Sequence, residues 1–162
     1  MSANPSDFAA SMAPSAAMSL LVCDRRYEVA RFVADRIGVS DLETFGAYQA
    51  IGVEQGGKIV TGFVLCDFNG VNAWVHLATD IPLTRYFLAV GFDYIFNKLG
   101  CQRLSGWVEA SNQEALRLDL HLGYTLEATL QGAARDGGDV HIVRMFRDEC
   151  RFLKLGKRYG LH

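Results

Sequence analysis

Residues 101–124 read CQRLSGWVEASNQEALRLDLHLGY, and three signals in them set the architecture. Cys101 to Glu109 has the apolar content of a strand. Ser111 can cap a helix with Glu114 three residues on, and Ala115, Leu118 and Leu122 recur at helical spacing until Gly123 stops it. Tyr124 to Leu130 then opens another strand. Upstream, Val71 to Thr79 alternates as a strand, with Asn72, Trp74 and His76 on one face and Val71, Ala73, Val75 and Leu77 on the other. Pro82 is tolerated in a first helical turn, and Leu83, Phe87, Val90, Tyr94 and Ile95 keep helical spacing up to Leu99-Gly100. Strand, helix and strand in this order require a right-handed crossover and parallel pairing.

Farther out, Ala47 to Gln55 and Lys58 to Phe68 read as strands joined at Gly56-Gly57, and Asn69-Gly70 turns the chain into the strand at Val71. Before this meander comes a short apolar run, Leu20 to Cys23, and a helix capped by Asp24, with Tyr27, Ala30, Val33 and Ile37 on one face and Gly38 at its end. After the central unit, Tyr124 to Leu130 and Val140 to Phe146 pair across Asp136-Gly137-Gly138-Asp139. The predicted class is α/β (α+β): a mixed, mostly antiparallel central sheet flanked by helices. One domain is expected over residues 20–147, after a flexible tail at 1–19 and before a basic C-terminal tail at 148–162.

Composition narrows the partners. The chain has 162 residues, half of them hydrophobic and 21% charged, the balance of a globular domain rather than a disordered or fibrous one. A net charge of −2 demands no nucleic acid. The segment before Leu20 lacks the basic start and sustained apolar core of a signal peptide, and Asp93 interrupts the longest apolar stretch, so neither secretion nor a membrane span is expected. Cys23, Cys66, Cys101 and Cys150 are far apart and carry no metal-ligand spacing. Buried free thiols at Cys66 and Cys101, no metal and a reducing cytoplasm follow as expectations.

The element order, together with the string Asn112-x-x-Ala115-x-x-Leu118-x-x-x-Leu122-Gly123-Tyr124, resembles the GNAT superfamily of acyl-CoA-dependent N-acyltransferases over roughly Leu20 to Phe152. Leu126 to Gly138 and Met145 to Cys150 look like the branch containing ribosomal-protein N-terminal acetyltransferases. The resemblance implies transfer of an acetyl or other acyl group from acyl-CoA to a primary amine by direct attack on the thioester. It also implies that the strand matching Val71 to Thr79 splays from the strand matching Cys101 to Glu109, with the pantetheine arm in the wedge. Backbone groups of His76, Leu77, Ala78 and Thr79 would then pair with the arm. Leu83, Thr84, Arg85 and Tyr86, at the start of a helix, would meet the phosphates. Asn112 would bond the arm, and Arg117 the ribose phosphate.

Two departures stand out. The family loop has spaced glycines, whereas Thr79-Asp80-Ile81-Pro82-Leu83-Thr84-Arg85 has none and adds an adverse Asp80. Asp119 occupies the position, seven residues after Asn112, where the family often has its acid tyrosine. His76, whose unperturbed pKa is near neutrality, is the first candidate for the base, and Glu109, directly or through water, is its rival. Tyr124 and Tyr86 are substitutes for the acid. The acceptor, protein or small molecule, is not specified, and a homodimer is compatible with the sequence. Two other readings remain: a catalytically silent binding module of this fold, and a nucleic-acid-associated protein using the basic tail.

Overall fold

The computed structural model describes residues 18–161. A seven-stranded sheet is its centre, with strands β1 (Ser19–Val22), β2 (Tyr48–Gln55), β3 (Lys58–Cys66), β4 (Asn72–Thr79), β5 (Arg103–Glu109), β6 (Thr125–Leu130) and β7 (Val140–Phe146) in the spatial order β1-β2-β3-β4-β5-β7-β6. Every neighbouring pair is antiparallel except β4 and β5. That parallel pair is the crossover read from the sequence, and its connection is a helix, as a parallel pair requires.

Helix α1 (Arg26–Ile37) covers one face over β2 and β3. It comes close because Gly52 pairs with Gly62 across β2 and β3, leaving a bare patch for Val29; a Cβ on Gly62 would lie 2.8 Å from a Val29 methyl. Asp24 does not cap this helix. Arg25 is the cap residue and makes no side-chain cap bond, and the buried stripe is Val29, Ala30, Phe32, Val33 and Ala34, with Tyr27 exposed.

On the opposite face lie α2 (Arg85–Asp93), continued by a wider turn over Tyr94–Lys98, α3 (Gln113–Leu122) and α4 (Arg151–Arg158). They bury Phe63, Phe87, Phe92, Phe96, Leu104, Leu122, Met145 and Phe152 against the sheet. The cap of α3 is Asn112 rather than Ser111: its side-chain oxygen accepts from Ala115 N–H at 3.1 Å. A side-chain oxygen here satisfies one of the donors that every helix start leaves without an intrahelical acceptor.

The chain ends need correction. The tail expected at 1–19 falls outside the described residues up to 17, and Ser19 already pairs with Gln55 in β1. Residues 148–161 are not a solvated basic tail. Arg147 donates to Phe96 O and, at 2.6 Å, to Asn97 Oδ1; Arg151 donates to His121 O; Phe152 is buried. Lys154, Lys157 and Arg158 remain exposed on α4. An apolar stripe only eight residues long was masked in the sequence by the basic residues around it. Cys66, Cys101 and Cys150 are buried free thiols, and Cys23 is exposed. No described helix is long and apolar enough to cross a membrane.

Candidate active site

β4 and β5 pair at only three positions, Asn72 with Arg103, Ala73 with Leu104 and Trp74 with Ser105. Beyond them the strands separate, although β3 stays paired with β4 to Thr79 and β7 stays paired with β5 to Glu109. At the fork is Gly106, where a Cβ would press to 3.1 Å on Val143. The gap is a cavity of about 600 Å³ that runs through the sheet. His76, Leu77, Ala78 and Thr79 line it from β4, and Glu109, Asn112 and Tyr124 line it from the other side. Leu83, Thr84, Arg85, Tyr86 and Arg117 do not; the first four are at the start of α2, and Arg117 is exposed on α3.

Main-chain direction separates the β4 residues. Val71 O accepts from Arg103 N–H, so odd-numbered residues turn their amides toward β5, whereas Asp80 N–H goes to Val60 O on the β3 side. Amide direction alternates along a strand. The Val75 carbonyl, Leu77 and Thr79 therefore offer main-chain groups to the gap, and those of His76 and Ala78 point to β3. The strand edge was legible in the sequence, but its phase was not. The candidate main-chain set is corrected to Val75, Leu77 and Thr79.

The His76 side chain faces the α1 side, between Phe45 (ring centroids 5.3 Å) and Trp107 (6.2 Å, edge on). Burial there lowers its pKa below the ordinary imidazole value, so the ring is neutral at pH 7. Glu109 is less free than its position suggested. Arg135 Nε donates to it at 2.9 Å, while the same guanidinium reaches the Ile37 and Gly38 carbonyls at 3.3 and 3.4 Å. Tyr124 is buried, and desolvation, with Asp119 and Cys150 nearby, raises its pKa well above that of a free phenol.

Three groups acquire their meaning only in three dimensions. Asp119 lines the same cavity on α3, and burial raises its carboxyl to about 7. Asp80 is not an isolated charge: Arg36 Nε donates to its Oδ1 at 2.7 Å and the second guanidinium nitrogen to Oδ2, and this hydrogen bonding lowers its pKa. The expected adverse charge is thereby neutralised. Thr84 caps α2 by accepting from Phe87 N–H at 3.1 Å, leaving the amides of Arg85 and Tyr86 without intrahelical acceptors. Among the described residues no cluster of three or more metal-ligating side chains occurs.

A mixed, mostly antiparallel sheet that forks between the parallel strands β4 and β5, which are joined through the crossover helix α2, matches the GNAT fold. Spermidine/spermine N-acetyltransferase SpeG from Vibrio cholerae superposes with a TM-score of 0.63 at 16% identity, over 85% of this chain and 99% of that one. A GNAT-family acetyltransferase from Streptococcus pneumoniae gives 0.62 at 14% identity (80% and 99% covered), and Ard1 from Thermoplasma volcanium gives 0.59 at 13% (79% and 97%). No family sequence model and no curated protein sequence matches the chain. The likeness is therefore one of fold.

Proposed function

We propose that the chain is an acyl-CoA-dependent N-acyltransferase acting on a primary amine. The observation that carries this reading is the fork: three paired positions, then a strand edge with free main-chain groups facing a cavity open to both sides of the sheet. The residues present suit the donor. Val75, Leu77 and Thr79 would pair with the amides of its pantetheine arm as an added strand would. The Asn112 side chain keeps its NH₂ for the same arm while its oxygen caps α3. The amides of Arg85 and Tyr86 and the Arg85 guanidinium would hold the pyrophosphate without the usual glycines.

The donor supplies an acyl group activated as a thioester. On the α1 side, neutral His76 accepts the proton lost by the attacking amine. On the α3 side, Asp119 protonates the departing sulfur. A free thiol titrates near 8.5, so a donor near 7 gives its proton downhill, whereas Tyr124, held well above the phenol value, would give it uphill. We therefore assign the acid to Asp119 and a packing role to Tyr124. The free thiols suit a cytoplasmic setting.

Calorimetry with acetyl-CoA tests the first stage: saturable binding is expected, and none at millimolar donor would leave only a silent scaffold. Thiol release in the presence of amines tests the second. His76→Gln should lower the rate by on the order of 10²-fold without changing donor affinity. In the parent the acid limb of the pH–rate profile should lie below the ordinary imidazole value, because burial lowers this pKa. That limb should vanish in the variant, and its persistence would exclude His76 as the base. Asn112→Ala should cost about 1 kcal/mol of stability as a lost cap. Asn112→Asp keeps a capping oxygen but loses the donor, so denaturation midpoints should hold while acetyl-CoA affinity drops; unaltered affinity would remove the contact to the arm.

A further inference from the structure

Next to the fork, on the α1 side of the sheet, is a second cavity of about 440 Å³. Its floor is sheet: Trp107 stands opposite Ile142, Val140 lies between Glu109 and Leu130, and Trp74 closes the β4 end. Ile37 at the end of α1 and Val39 beyond it, with Ala133 and Arg135 from the β6–β7 connection, form its rim. α1 packs over β2, β3 and β4, while α2, α3 and α4 pack on the opposite face, so among the described residues no helix covers the α1-side face of β5, β7 and β6. Ile37, Trp107, Glu109 and Arg135 line both cavities, so the second one adjoins the first.

The chemistry of its walls is one-sided. Seven of the ten lining residues are Trp, Ile, Val or Leu, and the two charged ones, Glu109 and Arg135, are paired to each other at 2.9 Å. A polyamine acceptor's second cation would find the one carboxylate here, Glu109, already matched to Arg135, leaving only the modest attraction of the indole faces to offset its desolvation. An aromatic monoamine has one charge to lose and an apolar body to bury.

We propose that this cavity is the acceptor site and that the acceptor is a primary monoamine with an aromatic body, its ring against Trp74 and Trp107 and its nitrogen at the fork beside His76. The proposal rests on the acyltransferase reading. In the transfer, the amine nitrogen bonds to the acyl carbon and the carbon–sulfur bond breaks; His76 takes the amine proton and Asp119 gives one to sulfur. The substrate preference thus differs from that named for SpeG, although the fold is shared.

The chain has two tryptophans and both line this cavity, so intrinsic fluorescence reports on it directly. Titrating the full chain with 2-phenylethylamine should change the emission saturably, whereas spermidine should not. With acetyl-CoA as donor, kcat/KM for phenylethylamine should exceed that for spermidine by about tenfold or more, one methylene-scale to ring-scale difference in apolar burial. Leu130→Asp, at a position 49% exposed, and Ile142→Asp should each reduce that kcat/KM by about tenfold while acetyl-CoA affinity, read by calorimetry, stays the same. Turnover of spermidine in preference to phenylethylamine would overturn the acceptor assignment and leave the acyltransferase reading standing. So would unchanged kinetics in both variants, or emission that shifts with protein concentration alone because a second copy covers the face. Failure of acetyl-CoA to bind would remove both readings, and calorimetry identifies that case separately.

Discussion

Asp119→Asn is expected to slow turnover by about 10²- to 10⁴-fold and, at pH 8, to make the folded protein more stable. Both effects come from one cause. Burial raises the Asp119 carboxyl to about 7 in the folded chain, against roughly 3.9 when exposed in the unfolded chain. Below the lower value both states hold the proton and there is no penalty. As pH rises between the two values the unfolded chain releases a proton that the folded chain retains, so stability falls through that window, and above about 7 the full cost is present. Asparagine has nearly the same shape and cannot ionise. Discounted because the side chain is only partly buried, the gain at pH 8 should be on the order of 2 kcal/mol and should vanish near pH 4. Urea denaturation at the two pH values, with single-turnover thiol release, reads both halves. A variant of unchanged rate would return the acid to another group; one without the pH-dependent gain would show that the carboxyl is ionised and solvated.

Phe152→Ala should destabilise the protein by about 3–5 kcal/mol, a large share of the 5–15 kcal/mol that holds an ordinary domain together. Phe152 lies parallel to Phe92, with centroids 5.2 Å apart and planes 5° apart; Phe92 stacks in turn on Phe96 and meets Phe63, which stacks on Phe87. Removing the end of this ladder opens a cavity between α2 and α4 that rigid neighbouring rings cannot fill. Because Phe63 also lines the fork, acetyl-CoA affinity should decline with stability. Equilibrium urea unfolding is the check. A loss below about 0.5 kcal/mol, as for a surface position, would return residues 148–161 to a solvated tail.

Much of this molecule could be read along the chain. Strand alternation in Val71 to Thr79, the helical spacing of Ala115, Leu118 and Leu122, the stop at Gly123 and the turns at Gly56-Gly57 and Asn69-Gly70 are local patterns. Each element's identity depends on residues within a few positions of it, and the element order then leaves few topologies. The resemblance carried in Asn112 to Tyr124 adds the fork to that reading. Asp119, where a tyrosine is usual, looked like a missing acid because a free aspartate is ionised at neutral pH. Only its burial on α3 raises its carboxyl to about 7. Likewise Asp80 looked adverse until Arg36, 44 residues earlier, was seen to neutralise it, and Glu109 looked free until Arg135 was seen to hold it. Sequence alone determined most of the elements and their order. The tertiary structure decided which amides face the gap, which charges are matched, which carboxyl has its pKa raised by burial and that the last helix is part of the core. Desolvation and long-range ion pairing depend on what packs beside a group, and that information is not carried by its neighbours in the chain.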